Sequence, residues 1–187
     1  VEQQDTEAFE DYVVGVKHIE GTQELAPELY QPPVTTRTWF HTGAYLEGEH
    51  ILHQLRNEYY LQQQHTPEPV LPPGMNEQEL RECVRGLKGL PLRQEIYSFD
   101  KSLLAEHPYS VTENNYEVRW LQPHYDQFHA VFFAHGCEIV THYYERNPAD
   151  PRIAQSFTLE IGPYGNVIKS ASIVYGRNVV DAKLPAE

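Results

Sequence analysis

The sequence is short of several things at once: it has two cysteines, one methionine, 14 basic residues against 27 acidic ones, and no long apolar run. Each shortage closes off a class. Cys83 and Cys137 have no CxxC spacing, so they offer neither a disulfide framework nor a zinc site, and both are expected as free thiols. No stretch approaches the ~18 apolar residues that a membrane-spanning helix needs, and no basic-then-apolar leader is visible. A formal net charge of −13 repels phosphate, which makes nucleic acid and anionic membranes poor partners. The motifs GxSxG, P-loop, GxGxxG and HExxH are all missing. The chain opens on Val1 and is read as a piece of a longer polypeptide.

What is present is a β-forming sequence. With 187 residues and 40% hydrophobic content, the chain suits one domain. Residues 1–35 read as an irregular segment with one possible strand at 12–16, punctuated by Pro27, Pro32 and Pro33. A β-branched and aromatic run at 36–42 gives the first firm strand. Two helices are then expected. One covers 47–61, where Ile51, Leu55 and Tyr59 recur four apart. The other starts at Asn76, whose capping box with Glu79 precedes a stripe of Leu80, Val84 and Leu87, and Gly89 and Pro91 stop it. Four prolines between 62 and 74 mark a surface loop.

After Pro91 six strands follow, at 92–99, 116–121, 128–134, 139–144, 153–161 and 167–175, with His135-Gly136 read as one of the short links. Short links require antiparallel neighbours. In the last pair Phe157, Leu159 and Ile161 face Val167, Ala171, Ile173 and Tyr175, with Lys169 as the exception. The fold class is therefore α+β, mostly β: an antiparallel meander with two inserted helices, covering residues 36–176, and a tail or linker at 177–187.

Four groups of residues invite chemistry. His124 and His129, with Asp126 between them, flank a turn, but a metal site would need a further ligand. Glu95, Glu117 and Glu160 could face one another as a glycosidase pair does, though alternating polar residues are ordinary on a wet sheet face. Cys137 with His135 or His142 suggests a thiol and a base, yet a thiol without a positive neighbourhood stays protonated. Residues 144–152 form a corner between strands, built on Asn147-Pro148 and Asp150-Pro151 and pinned by Arg146 and Arg152. Ten histidines, with His107, His124, His129, His135 and His142 near strand ends, raise the question of acid sensitivity. No catalytic, metal-binding or cofactor-binding residue is assigned. Trp39, Trp120 and the tyrosines, among them Tyr97, Tyr116, Tyr143, Tyr144 and Tyr175, distinguish two non-catalytic readings. Buried rings suit a packed sheet, and a row of exposed rings suits a carbohydrate- or receptor-binding face.

Several segments together resemble the middle region of the B component of insecticidal toxin complexes, the TcdB-like proteins. They are residues 37–45 (RTWFHTGAY), 87–95 with 108–113, and 143–152. Residues 164–171 resemble the same region running into an RHS/YD-type repeat hairpin. The resemblance implies a secreted, non-catalytic piece of a β-sheet shell. It implies that the B component joins an RHS-repeat C component, encloses the toxic C-terminal domain of that component, and docks on a pore-forming A component. No direct membrane insertion and no cofactor follow from it.

Overall fold

The computed structural model describes residues 2–5, 33–46, 49–50, 55–60, 68–100 and 102–177. The expected strand at 12–16 lies outside them. The chain forms β1 (Glu2–Asp5), β2 (Val34–Phe40), β3 (Tyr45–Leu46), β4 (Glu49–His50), a 3₁₀ turn at Arg56–Glu58 and helix α1 (Glu77–Arg85). It continues with β5 (Pro91–Ser98), β6 (Ser110–Gln122), β7 (Val131–Tyr143), β8 (Arg152–Ile161) and β9 (Val167–Val174). Seven strands make one sheet in the order β1-β2-β5-β6-β7-β8-β9, all pairs antiparallel, while β3 and β4 form a separate two-stranded ribbon. The meander is as the short links required.

Of the two expected helices, the second is present as α1. Asn76 Oδ1 accepts the backbone N–H of Glu79, and the Glu79 carboxylate accepts that of Asn76, so the capping box closes as the sequence implied. Within 47–61 the described residues hold β4, Leu55 in helical conformation and the 3₁₀ turn at Arg56–Glu58, and the rest of the expected helix lies outside the described residues. Tyr59 is buried, packed on Trp39 and under the Arg93 guanidinium. The six strands expected after Pro91 are five. His135-Gly136 is no turn: β7 runs through it, and Asn115 faces Glu138 while Tyr116 faces Gly136, which leaves Cys137 as the extra residue of a β-bulge. The proline-rich loop also does more than cross the surface. Val70 bridges Glu117 of β6, with Val70 N–H on the Tyr116 carbonyl and Val118 N–H on the Val70 carbonyl, both at 2.9 Å.

Residues paired across strands share a face, so the register sorts the sheet. One face carries Arg37, Arg93, Glu95, Glu113, Glu117, Arg119 and Glu138. The other carries Thr36, Thr38, Gln94, Thr112, Asn114, Thr141, Ser156 and Ser172, and its single charged residue over β2 and β5–β9 is Arg152. We call these the charged and the neutral face.

Each face is covered over half its length. Along β6 the buried positions switch from Val111, Glu113 and Asn115 on the charged face to Tyr116 and Val118 on the neutral face. Tyr59 and Tyr60 cover the first half. Cys83 and Leu87 of the α1 region cover the second, with Leu71, Met75, Leu90, Phe132 and Ala134 packed around them. The pairing of β8 with β7 stops at Phe157, and the β8–β9 turn leans over the charged face, where Arg119 donates to the Ile161 carbonyl at 3.1 Å. There Gly165 sits at φ +83° against the Phe133 ring, and a Cβ would come within 2.8 Å of it.

Candidate functional site

Alternation along β5 puts Arg93, Glu95 and Tyr97 on the charged face, and the register sets Arg93 opposite Glu113. All four are buried. Arg93 donates from Nε to Glu95 Oε1 and from Nη1 to Glu113 Oε1, each at 2.6 Å, and from Nη2 to the Tyr60 carbonyl at 3.3 Å. Glu95 Oε1 also accepts the Tyr60 N–H at 2.9 Å, and Oε2 accepts the Tyr97 hydroxyl at 2.6 Å. The Tyr59 ring lies 4.8 Å from the Arg93 guanidinium, and that of Tyr97 lies 5.0 Å from Arg37. Buried charges of this kind persist only when paired and hydrogen-bonded.

The surroundings shift the nearby titrations. Burial, then the bond to Glu95, raises the Tyr97 phenol, and burial pushes Tyr144 up to about 12. His142 faces Val111 and stacks on Tyr144 with ring centres 5.9 Å apart. Burial lowers its pKa, with Glu113 opposing the shift and Arg93 adding to it. At the edge of the cluster the Tyr60 hydroxyl shares a 2.7 Å hydrogen bond with His107 Nδ1. Chemically the arrangement is an interlock. The carboxylates are engaged by one guanidinium, a phenol and a backbone amide, and together they fasten residues 59–60 to β5 and β6.

The carboxylates singled out in the sequence do not converge. Glu95 lies in the interlock. Glu117 is on β6 six residues beyond Val111, the partner of Glu95, or about 20 Å along the strand. It stands 3.8 Å from both Arg119 Nε and His135 Nε2. Glu160 pairs with Lys169 at 2.6 Å on the β8–β9 edge, which accounts for the one break in the alternation of β9. The pair that does share a partner is Glu95 with Glu113. Sequence reasoning missed Glu113, although Arg93-x-Glu95 on one strand face was a local signal that a third charge should answer from the neighbouring strand.

The thiols are both free. Cys83 is fully buried, and that raises its pKa to about 11; Cys137 is raised by burial, then by Glu138 and Glu117. Both shifts oppose nucleophilic use. His124 and His129 do come to one end of the sheet, where α1 takes hold of their loop. Glu79 Oε1 accepts the His124 N–H at 3.0 Å, and Glu82 accepts His129 Nδ1–H and the Ala130 N–H, both at 2.8 Å. Among the described residues no cluster of three or more His, Cys, Asp or Glu side chains is placed to hold a metal ion.

The corner at 144–152 is pinned more widely than its own sequence suggested. Arg146 bonds both oxygens of Asp100, at 2.7 and 3.1 Å, and also reaches Ser102 and the Leu104 carbonyl. Beside Arg146, the Asp100 carboxyl falls to about 2. Arg152 meets Glu145, and Arg177 meets Asp150 at 3.0 Å. Glu145 and Arg146 both have positive φ, a conformation that these contacts hold in place. No helix among the described residues is long and apolar enough to cross a membrane.

Comparison with known proteins turns this geometry into a kinship. The family model for the insecticide toxin TcdB middle/C-terminal region matches residues 82–186, more than half of the chain. The chain belongs to that family. Its fold is found in a Photorhabdus luminescens Tc holotoxin pore structure, with a TM-score of 0.70 and 30% identity over 84% of this chain. A crystal structure of TcdB2-TccC3 without its hypervariable C-terminal region matches with a TM-score of 0.70 and 28% identity over 83%. In both cases this TcdB-type chain spans 8% of the solved chain. A search of curated proteins finds no match. The chain is thus a structural segment of the toxin-complex type, and its mostly-β antiparallel architecture is that of the family.

Proposed function

We propose that this chain forms part of the wall of a β-sheet shell in the B component of a secreted insecticidal toxin complex. The shell encloses the toxic C-terminal domain of an RHS-repeat partner, and the full-length protein docks on a pore-forming component. The segment itself carries no catalytic step. The observation that supports this most is the likeness, at a TM-score of 0.70, to a segment of chains solved as TcdB2-TccC3 assemblies. The buried interlock suits a wall: it fixes strands to one another and leaves no opposed carboxyl pair free for proton transfer.

The second reading, a carbohydrate- or receptor-binding face, has less support. Trp39 donates to Glu58 at 2.8 Å and packs on Tyr59, and Trp120 stacks on Phe132. Among the described residues, the most exposed aromatic rings, Tyr125, Phe128 and Tyr164, are at turns and form no row along a sheet face.

The test is co-expression of the full-length protein with an RHS-repeat partner, followed by protease treatment. A stable complex that shields the partner's C-terminal polypeptide is the expected result. Failure to associate, or cleavage of that polypeptide at the rate seen without the B component, would overturn the proposal.

A further inference from the structure

Residues 55–60 lie over the charged face as a strap, and ionisable and aromatic side chains hold them there. At one end Glu58 Oε2 accepts the Trp39 indole N–H at 2.8 Å, and the buried Tyr59 ring meets Trp39 edge-on with centres 5.2 Å apart. In the middle the interlock takes hold, with Glu95 on the Tyr60 N–H and Arg93 on the Tyr60 carbonyl. At the other end the Tyr60 ring meets Tyr144 edge-on at 5.4 Å and His107 edge-on at 5.9 Å.

His142 joins that last hold. Its ring stacks on Tyr144 with centres 5.9 Å apart and planes 17° from parallel, so three rings, His142, Tyr144 and Tyr60, link β7 to the strap. The charged groups that act on His142 are Glu113 of β6 and Arg93 of β5. These two are already bonded to each other at 2.6 Å, with Glu95 on the same guanidinium. The strap contributes Tyr60, and the loop before β6 contributes His107 on the Tyr60 hydroxyl. The residues opposite His142 on the two neighbouring strands, Val111 and Ile153, carry no charge.

A proton on His142 therefore sets a second cation near Arg93, and the carboxylate that answers it, Glu113, is one that Arg93 already holds. Two movements relieve this. Either Glu113 turns from Arg93 to the imidazolium, or the ring gains water as Tyr144 and Tyr60 draw away. Each loosens a hold on the strap. Burial accordingly sets the His142 pKa below the ordinary 6.5, so the ring takes up its proton more readily with the strap open than closed. His107 is no such trigger. A hydroxyl both donates and accepts, so its 2.7 Å bond to Tyr60 survives protonation of the His107 ring with the direction reversed. We propose that the strap is an acid-released latch: protonation of His142 parts the His142–Tyr144–Tyr60 contacts and frees residues 58–60 from the charged face while the sheet stays folded.

Amide hydrogen exchange of the full-length protein at about pH 7.5 and about pH 5, on either side of the ordinary histidine range and corrected for the intrinsic rate at each pH, tests this. The Tyr60 amide, which Glu95 holds, should lose protection at least fivefold at the lower pH, while the amides of β5 keep theirs. His142→Phe takes no proton and can keep the stack, so its Tyr60 protection should be the same at both pH values. His142→Gln should be equally insensitive to pH, whatever its protection at neutral pH, and His107→Gln should show the parent's loss. Unchanged protection of Tyr60 in the parent protein overturns the proposal. So does an equal loss in β5, which would mark unfolding of the sheet, and so does the parent's loss in either His142 variant, which would assign the release to the carboxylates.

Discussion

At the scale of single residues, the buried interlock centres on Glu95. A fully buried carboxylate is tolerable only because Arg93, Tyr97 and the Tyr60 amide all point at it. Removing one member of a buried ion pair costs more than the pair contributes, because the other charge is left stranded, and typical losses are ~3–5 kcal/mol. Glu95→Ala should therefore lower the free energy of urea unfolding by about that amount, whereas Glu160→Ala, on an exposed pair, should change it by less than ~1 kcal/mol. Equal effects would contradict the interlock.

His142 gives the pH dependence its sign. Its folded pKa is depressed below the ordinary 6.5, chiefly by burial, so on acidification the unfolded chain takes up the proton first. The contribution to stability is whole above pH 6.5 and is lost as pH falls from there towards the folded value. His142→Phe, which can keep the stack on Tyr144, should make unfolding free energy less sensitive to pH over that window than in the parent chain. Parallel curves for the two proteins would contradict this.

At the scale of elements, α1 acts as a clamp. Its second and third acidic residues, Glu79 and Glu82, hold the two ends of the β6–β7 loop through the backbone of His124 and Ala130. Hydrogen bonding to that backbone and to His129 lowers both carboxyl pKa values, so both remain charged acceptors well below neutral pH. Glu82→Ala should speed amide hydrogen exchange across residues 124–130 while leaving β8 and β9 at parent rates. Unchanged exchange in the loop would show that the clamp is not what orders it.

Much at this scale was legible in the sequence. The capping box is local, so residues 76–79 declared it. The short links declared antiparallel pairing, and Phe157 does sit opposite Ala171 as its alternation implied, but register shifts between Thr158 and Ile161 break the alternation expected for Leu159 and Glu160. What was hidden depended on distant partners. Glu79 reads as a solvated helix residue until His124, 45 positions on, takes its second oxygen. Gly136 reads as a turn residue because glycine suits turns, yet here it sits in an unbroken strand beside a bulge. Of the site, Glu95 was singled out but given the wrong role, since its arginine partner lay two residues away and its tyrosine partner's amide came from 35 residues upstream.

At the scale of the whole molecule, β9 is the exposed element. It closes one side of the seven-stranded sheet, and Val167, Ile168, Ile173 and Val174 are all exposed, with Val174 at 80%. An open edge with apolar residues invites pairing with another strand. The isolated chain should thus self-associate with rising concentration in sedimentation velocity runs. A double substitution, Ile168→Lys with Val174→Lys, should return it to a monomer without changing its circular dichroism. Persistent association of that variant would place the contact elsewhere.

The central claim is that this sheet is a stretch of continuous wall. Electron cryo-microscopy of the full-length protein assembled with its RHS-repeat partner tests it most directly. The expected map shows the outer edges of β1 and β9 each hydrogen-bonded to a further strand, so that the seven strands run on into an enclosing surface. A map showing the sheet as a separate appendage, with those edges open to bulk solvent, would contradict it.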